Sequence, residues 1–295
     1  MQHVTELEQA TPPGPTIVAV GMFDGVHRGH QHLLRRLVER AHAENLTPTV
    51  LTFFPHPDKV LGRAEGRYYL TSPGQRAALL GALGVELVVT HPFDDSVRQI
   101  RAADFVDRLL AHLKLRELWV GQDFALGYRR EGNVAFLREQ GAQKGFVLQA
   151  IDLVTNDDTG MIINSSAIRA ALAAGDVERA NFWLGRPYSV EGKVVPGDGR
   201  GKTIGFATAN LDVWDEQMLP ANGVYAGWAR LGSEVYMAVS NVGVRPTFEG
   251  HTVRVEAHLL DFDRSIYGEL MALSFVARLR DEMRFEGIDA LVAQI

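Results

Sequence analysis

Apolar residues follow one rhythm up to about residue 184 and another beyond it. In the first stretch, continuous apolar runs alternate with segments whose apolar positions recur every three or four residues. Thr16-Ile17-Val18-Ala19-Val20 is a β-branched run of strand type, and further on Leu33, Leu34, Leu37, Val38 and Ala41 return at helical spacing. The same alternation predicts strands over 48–54, 85–90, 117–121 and 146–151. It predicts helices starting at Ser72-Pro73 and covering 102–113 and 134–143. Ser72 is a natural cap, and Pro73 suits the first helical position. Strands separated by helices at this spacing predict a parallel sheet with helices on both faces. Ligands of such sheets lie beyond the carboxyl ends of the strands, so 21–30, 53–58 and 121–130 are expected to face one crevice.

Residues 165–184 read as helix, alanine-rich over 167–174 and continuing over 176–184, and Gly185-Arg186-Pro187 ends it. From Tyr188 on, short β-branched or aromatic runs cover 188–195, 223–230, 235–242, 253–262 and 271–278, separated by turns rich in Gly, Pro, Asn and Asp. Many short strands at such intervals predict an antiparallel β-barrel, and a terminal helix over 288–295 is expected to pack across it. The expected organisation is an α/β domain over 1–184 followed by a barrel domain over 185–295.

Composition narrows the function classes. With 46% hydrophobic and 22% charged residues over 295 positions, the chain is globular and long enough for two ordinary domains. A net charge of −6 argues against a broad nucleic-acid surface, although a local basic cluster can still hold a nucleotide. No apolar run approaches the roughly 20 residues needed to span a bilayer, so no membrane partner is expected. Residues 1–15 carry Glu6 and Glu8 and lack an apolar signal core. The absence of cysteine excludes disulfides, thiol catalysis and Cys-ligated zinc. A cytoplasmic protein is the expectation.

Candidate chemistry concentrates in Gly21-Met22-Phe23-Asp24-Gly25-Val26-His27-Arg28-Gly29-His30, the turn between the first long strand and its helix. A helix start offers unpaired N–H groups and the positive end of the dipole, which favour an anion. Glycines let backbone come close to a ligand, and two imidazoles three residues apart would bracket the same spot. That combination predicts a phosphate site.

The stretch resembles the Gly-x-Phe-Asp-Gly-x-His-x-Gly-His signature of nucleotidylyltransferases, specifically the adenylyltransferase half of bacterial bifunctional riboflavin kinase/FAD synthetases. Further matches follow in family order. Phe53-Phe54-Pro55-His56-Pro57 and Val120-Gly121-Gln122-Asp123-Phe124-Ala125-Leu126-Gly127 resemble its flavin-side motifs, with Ala125 and Leu126 replacing the usual Arg-Phe. Asn164-Ser165-Ser166-Ala167-Ile168-Arg169 resembles Ser-Ser-Thr-x-Ile-Arg, with Asn164 and Ser166 as departures. The resemblance implies a Rossmann-like nucleotidylyltransferase domain. ATP or phosphate contacts would come from Gly21, Phe23, Asp24, Gly25, Gly29, Ser165, Ser166 and Arg169. His27 and His30 would be catalytic, and His56, Asp123 and Gly127 would contact FMN.

In the second half, Pro196-Gly197-Asp198-Gly199-Arg200-Gly201-Lys202-Thr203 misses the Walker A pattern because Pro196 stands where its first Gly belongs. Strand flanks on both sides exclude a P-loop as well. The stretch continues into Ile204-Gly205-Phe206-Ala207-Thr208-Ala209-Asn210-Leu211, which resembles the riboflavin kinase motif Gly-Phe-Pro-Thr-Ala-Asn-Leu, with Ala207 in place of Pro. Asn241-Val242-Gly243-Val244-Arg245-Pro246-Thr247-Phe248, Val255-Glu256-Ala257-His258-Leu259-Leu260-Asp261-Phe262 and Leu279-Arg280-Asp281-Glu282-Met283-Arg284-Phe285 extend the match. The resemblance implies ATP contacts from Gly199, Gly201, Lys202, Thr208 and Asn210. It makes Thr208 and Asn210 ligands of the Mg²⁺ that accompanies ATP, and Glu256 the kinase base. Arg280, Glu282 and Phe285 would lie near riboflavin. Glu256, read as mid-strand among apolar neighbours, is expected either to act as this base or to pair with Arg254 or Arg245. The implied activities are phosphorylation of riboflavin to FMN and adenylyl transfer from ATP to FMN, giving FAD. An adenylyltransferase for another acceptor and a catalytically decayed flavin- or nucleotide-binding regulator are the competing readings.

Overall fold

The computed structural model describes residues 1–151, 163–197, 206–247 and 250–283, and by contacts the chain divides into two units. The first comprises Met1–Glu65 and Thr71–Asn164, the second Gly66–Leu70 and Ser165–Ile295.

The first unit runs β1 (Gln2–Val4), β2 (Thr16–Val20), α1 (Arg28–Ala43), β3 (Thr47–Phe54), the one-turn α2 (Pro57–Val60) and α3 (Pro73–Ala82). It continues with β4 (Leu87–Pro92), α4 (Ala102–Leu113), β5 (Leu115–Gly121), a small hairpin of β6 (Ala125–Leu126) and β7 (Gly132–Asn133), α5 (Val134–Lys144) and β8 (Val147–Ile151). The six-stranded sheet has the order β1-β4-β3-β2-β5-β8, and every neighbouring pair is parallel. Alternation along the strands sorts two cores. Ile17, Ala19, Val50 and Val88 meet Leu34, Leu37 and Ala41 of α1 and Ala77 and Leu80 of α3 on one face. Val18, Val20, Leu51 and Val89 meet Phe105, Val106, Leu109 and Leu113 of α4 on the other. Helices therefore cover both faces, as the strand–helix alternation predicts. From β2 the chain goes to β3 on one side, while β5 lies on the other. The order thus reverses at β2, and the crevice of such sheets opens outside that switch point. The 21–30 loop leaves β2 there.

The second unit adds α6 (Ser165–Ala173), α7 (Val177–Leu184), β9 (Tyr188–Val195), β10 (Ala209–Val213), β11 (Gly223–Leu231), β12 (Glu234–Thr247), β13 (Gly250–Leu259) and β14 (Leu270–Arg280). The strands close into a barrel, β10-β13-β12-β11-β14-β9, with antiparallel pairing throughout. Val190, Val194, Leu211, Tyr225, Val255, Ala257, Leu273 and Phe275 are buried. Asn181 of α7 docks that helix on the barrel, donating to the Phe275 carbonyl at 2.8 Å and accepting from the Tyr188 N–H at 2.6 Å.

Three readings of the sequence need correction. The 165–184 helix is two helices: Gly175 at φ +79° breaks the first, and the Asp176 side chain caps the second by accepting from the Arg179 N–H at 3.0 Å. β10 lies inside a stretch read only as a motif loop, because its alternation is five residues long and abuts the glycine run. β1 was too short to register, yet its three residues extend the sheet edge against Leu87–Val89. The helix expected over 288–295 lies outside the described residues.

Candidate functional sites

The 21–30 loop is held from beneath by buried polar side chains. Asp24 is 1% exposed, and its Oδ1 accepts from the Thr71 N–H and hydroxyl, both at 3.1 Å. Arg76 of α3 is 0% exposed and donates from Nη2 to the same oxygen at 3.5 Å. Its Nη1 donates to Thr52 Oγ1 at 3.1 Å, and the Thr52 hydroxyl donates to the Met22 carbonyl at 2.8 Å. The Gly25 N–H donates to Thr71 Oγ1 at 3.2 Å. This scaffold holds unusual backbone: Phe23, Gly25 and Val26 have φ of 48°, 79° and 42°. For a β-branched residue such as Val26 that region is strained, and it persists because Phe23 and Val26 are both locked in the core beside α1.

Two histidines end the loop. His27 is the N-cap of α1, its Nδ1 accepting from the His30 N–H at 3.4 Å, so the His27 ring proton sits on Nε2. The His30 ring stacks on it with centroids 3.6 Å apart and 20° between planes. Gly29 permits this approach, since a Cβ there would lie 3.2 Å from the His27 ring. Burial, then the neighbouring His27 and then Arg76, hold the His30 imidazole well below its ordinary titration range. Two charged rings at this separation would repel by about 4 kcal/mol at an effective dielectric of 20, so the two are not charged together, and the His30 ring is held towards its neutral form. His30 Nδ1 is buried and has no hydrogen-bond partner among the described residues. The result is a stacked, N–H-bearing pair at a helix start, with the His30 ring held towards neutrality, suited to donating to phosphate oxygens.

The flavin-side candidates have more local roles. His56 caps α2, its Nδ1 accepting from the Asp58 N–H at 3.0 Å, and the preceding Phe54–Pro55 bond is cis. Asp123 is exposed, and its carbonyl accepts from Arg130 at 2.8 Å. Gly127 sits at φ +77°, and a Cβ there would meet Ala102 backbone atoms at 2.6 Å, so a close crossing of chains requires glycine. Ser165 and Ser166 open α6, and Ser166 is exposed. Arg169 lies on the Tyr68 ring at 3.8 Å and donates from Nε to the Tyr68 carbonyl at 2.7 Å.

On the barrel, register aligns three candidates. Asn210 of β10 and Asn241 of β12 both pair across from Glu256 of β13, giving one row of polar side chains over three adjacent strands. The premise of an apolar surround for Glu256 fails. Val255, Ala257 and Leu259 point into the barrel, whereas Arg254, Glu256 and His258 share the opposite face. The Glu256 side chain is 31% exposed and lies 3.7 Å from Arg254 Nη1, so the expected ion pair exists in a loose, partly solvated form. Asn241 Nδ2 donates to Glu282 Oε1 at 3.3 Å, bringing Glu282 to the same row. Thr208 is exposed immediately before β10, and Arg280 donates to the Asp281 carbonyl at 3.0 Å. Gly199, Gly201, Lys202 and Phe285 lie outside the described residues. Among the described residues no cluster of three His, Asp or Glu side chains could cage a metal. The neutral oxygens of Thr208 and Asn210 fit a hard cation that arrives on nucleotide phosphates and keeps much of its water.

The sequence reading missed Thr52, Thr71, Arg76 and Asn241 as site residues. A signal for Arg76 was present: it falls on the same helical stripe as Ala77 and Leu80, where an arginine must find an internal partner.

A switch-point loop with paired histidines at a helix start, followed in the same chain by a closed six-stranded barrel with its own polar row, defines a two-module nucleotide-handling enzyme. The family described as FAD synthetase matches residues 9–167, and the family described as riboflavin kinase matches residues 184–295. A bifunctional riboflavin kinase/FMN adenylyltransferase of Bacillus subtilis (strain 168) is 35% identical over 99% of this chain and 92% of its own length. One of Escherichia coli (strain K12) is 36% identical over 100% of this chain and 94% of its own. The fold also matches a crystal structure described as a macrolide-efflux protein from Streptococcus pneumoniae, with a TM-score of 0.89 and 30% identity, covering 99% of this chain and 95% of that one. No described helix here is long and apolar enough to cross a membrane. The chain belongs to the bifunctional riboflavin kinase/FMN adenylyltransferase family and is an enzyme of both kinds. Both activities use ATP, generally with a divalent metal.

Proposed function

We propose that residues 1–184 carry adenylyl transfer and residues 185–295 carry riboflavin phosphorylation. In this reading a phosphate oxygen of FMN attacks the α-phosphorus of ATP, the α–β bridging bond breaks, and pyrophosphate leaves with FAD as product. No covalent enzyme intermediate is needed, so positioning and charge stabilisation carry the step. His27 Nε2–H and the His30 ring donate to phosphate oxygens as charge develops, beside the amides of the α1 start. Asp24 acts from below by fixing the loop, in keeping with its inward-facing carboxylate. Ser165, Ser166 and Arg169 add phosphate contacts, Arg169 leaving the Tyr68 carbonyl to do so. His56, Asp123 and Gly127 border the FMN.

In the barrel, Glu256 accepts the proton of the riboflavin 5′-hydroxyl as that oxygen attacks the γ-phosphorus and ADP leaves. Thr208 and Asn210 would hold the Mg²⁺ carried by ATP, which would neutralise phosphate charge there. Gly199, Gly201 and Lys202 cradle the phosphates, while Arg280, Glu282 and Phe285 lie against the flavin. Riboflavin, FMN, FAD and ATP are the small-molecule partners, and the cytoplasm is the compartment.

The observation that carries the adenylyl half is the stacked His27–His30 pair on the switch-point loop. The test supplies the purified full chain with ATP and Mg²⁺ and either riboflavin or FMN. Glu256→Ala is expected to abolish FMN formation while leaving FAD formation from supplied FMN, and His30→Ala the reverse. Loss of both products in either variant would overturn the division of labour.

A further inference from the structure

We propose that Arg76 is a positioning residue for adenylyl transfer: its buried guanidinium fixes the loop that presents His27 and His30. This rests on the reading that those histidines serve that reaction. Arg76 lies on α3, outside every motif that marks the site, and reaches the loop through Asp24 and Thr52.

The geometry is that of a clamp. One guanidinium nitrogen reaches Asp24 inside the loop, and the other reaches Thr52 on β3, whose hydroxyl holds the Met22 carbonyl. A second link runs from Asp24 through Thr71 to the Gly25 N–H. Carbonyl, carboxylate and amide of three loop residues are thus fixed to β3 and to the start of α3, directly before the histidines. A planar, permanently charged fork can hold two such partners at once, and a lysine ammonium on a flexible stem cannot reproduce both directions. A buried arginine is expensive to keep, and the left-handed residues it underlies are otherwise disfavoured.

Arg76 also acts through its charge. The groups acting on the His30 ring are His27 at the α1 cap and Arg76 on α3, which has Asp24 beside it, while Phe23 packs on the ring with centroids 5.0 Å apart. Burial, His27 and Arg76 all push the His30 ring towards neutrality. A residue that only filled space would not influence which protonation state meets the phosphate.

Two variants of the full chain test this, with riboflavin phosphorylation by the barrel as the internal measure of folding. Arg76→Lys keeps the charge opposite Asp24 and is expected to lower kcat for FAD formation about 100-fold, the scale of a 1 Å misplacement. KM for ATP should stay close to wild type and FMN formation should be unchanged. The neutral double variant Asp24→Asn/Arg76→Gln replaces both partners together. It is expected to move the acidic limb of the kcat/KM profile for FAD formation to higher pH, whereas Arg76→Lys leaves that limb in place. Wild-type kcat in Arg76→Lys, or an equal loss of FMN formation, would overturn the proposal. So would an unmoved acidic limb in the double variant. His30→Ala is run alongside: if it retains FAD formation, the reading of the loop itself has failed. If only Arg76→Lys retains it, the positioning role alone has failed.

Discussion

The two sites are built on opposite terms. The 21–30 loop rests on a buried ion pair, Asp24–Arg76, with both side chains 1% exposed, and its backbone carries three left-handed residues. The polar row on the barrel stands on the solvent-facing side of strands whose other side makes the core, and Glu256 there is a third exposed beside a loosely paired Arg254. In the first site the geometry is stored in the core, so function and stability are coupled. In the second, alternate residues of one strand face opposite ways, Val255, Ala257 and Leu259 into the core and Glu256, the proposed base, out of it, so the two are separable.

The largest expected effect probes the separable site. Glu256→Gln should lower riboflavin phosphorylation by about 10²–10⁴-fold, the usual worth of a positioned base, while thermal stability moves by no more than about 0.5 kcal/mol. A fall in melting temperature matching the activity loss would erase the contrast. Next is Asp24→Ala, which strips the partner from a buried guanidinium. It should cost about 3–5 kcal/mol in denaturant unfolding and take FAD formation with it. Intact stability would show that the pair does not carry the loop. Gly127→Ala comes third. It places a methyl group against Ala102 backbone at a positive φ and should cost about 1–3 kcal/mol, read from the same melts.

How much of this could be read from sequence follows the same division. Both folds were legible because apolar periodicity reports which face of an element is buried, and the helix over 102–113 matches α4 at both ends. The histidine pair was legible because motif spacing is local. The clamp beneath it was not: Thr52, Thr71 and Arg76 come from three separate elements that only the parallel sheet brings under the loop. Glu256 stood out as a candidate, but its surroundings were misjudged. A run of apolar neighbours in sequence says nothing about their side until the strand's alternation is applied. β1 and β10 escaped because three or five residues carry too little periodicity to separate from loop.

A smaller effect concerns pH. The His30 ring is held well below its ordinary value near 6.5, chiefly by burial. As pH falls through that ordinary value, the unfolded chain takes up a proton that the folded chain refuses. Stability is therefore full above about pH 6.5 and declines from there down towards the folded-state value. His30→Asn, which cannot titrate, should flatten the melting-temperature slope across that window. An unchanged slope would mean that the stacked pair is not protected from protonation.

The smallest expected effect decides between two accounts of Glu256. If the carboxylate were there chiefly to hold Arg254, then Arg254→Gln and Glu256→Gln should destabilise the barrel alike, and neither should touch the chemistry. The separation of 3.7 Å and roughly one-third exposure of both side chains predict a pair worth no more than about 1 kcal/mol. Arg254→Gln should therefore barely shift the melt and leave FMN formation within a few-fold of wild type, in contrast to Glu256→Gln. A double-mutant cycle on stability gives the coupling directly. A coupling above about 1 kcal/mol, together with matched activity losses in the two single variants, would make the barrel site as dependent on its supports as the loop site. The difference between the two would then be one of exposure alone.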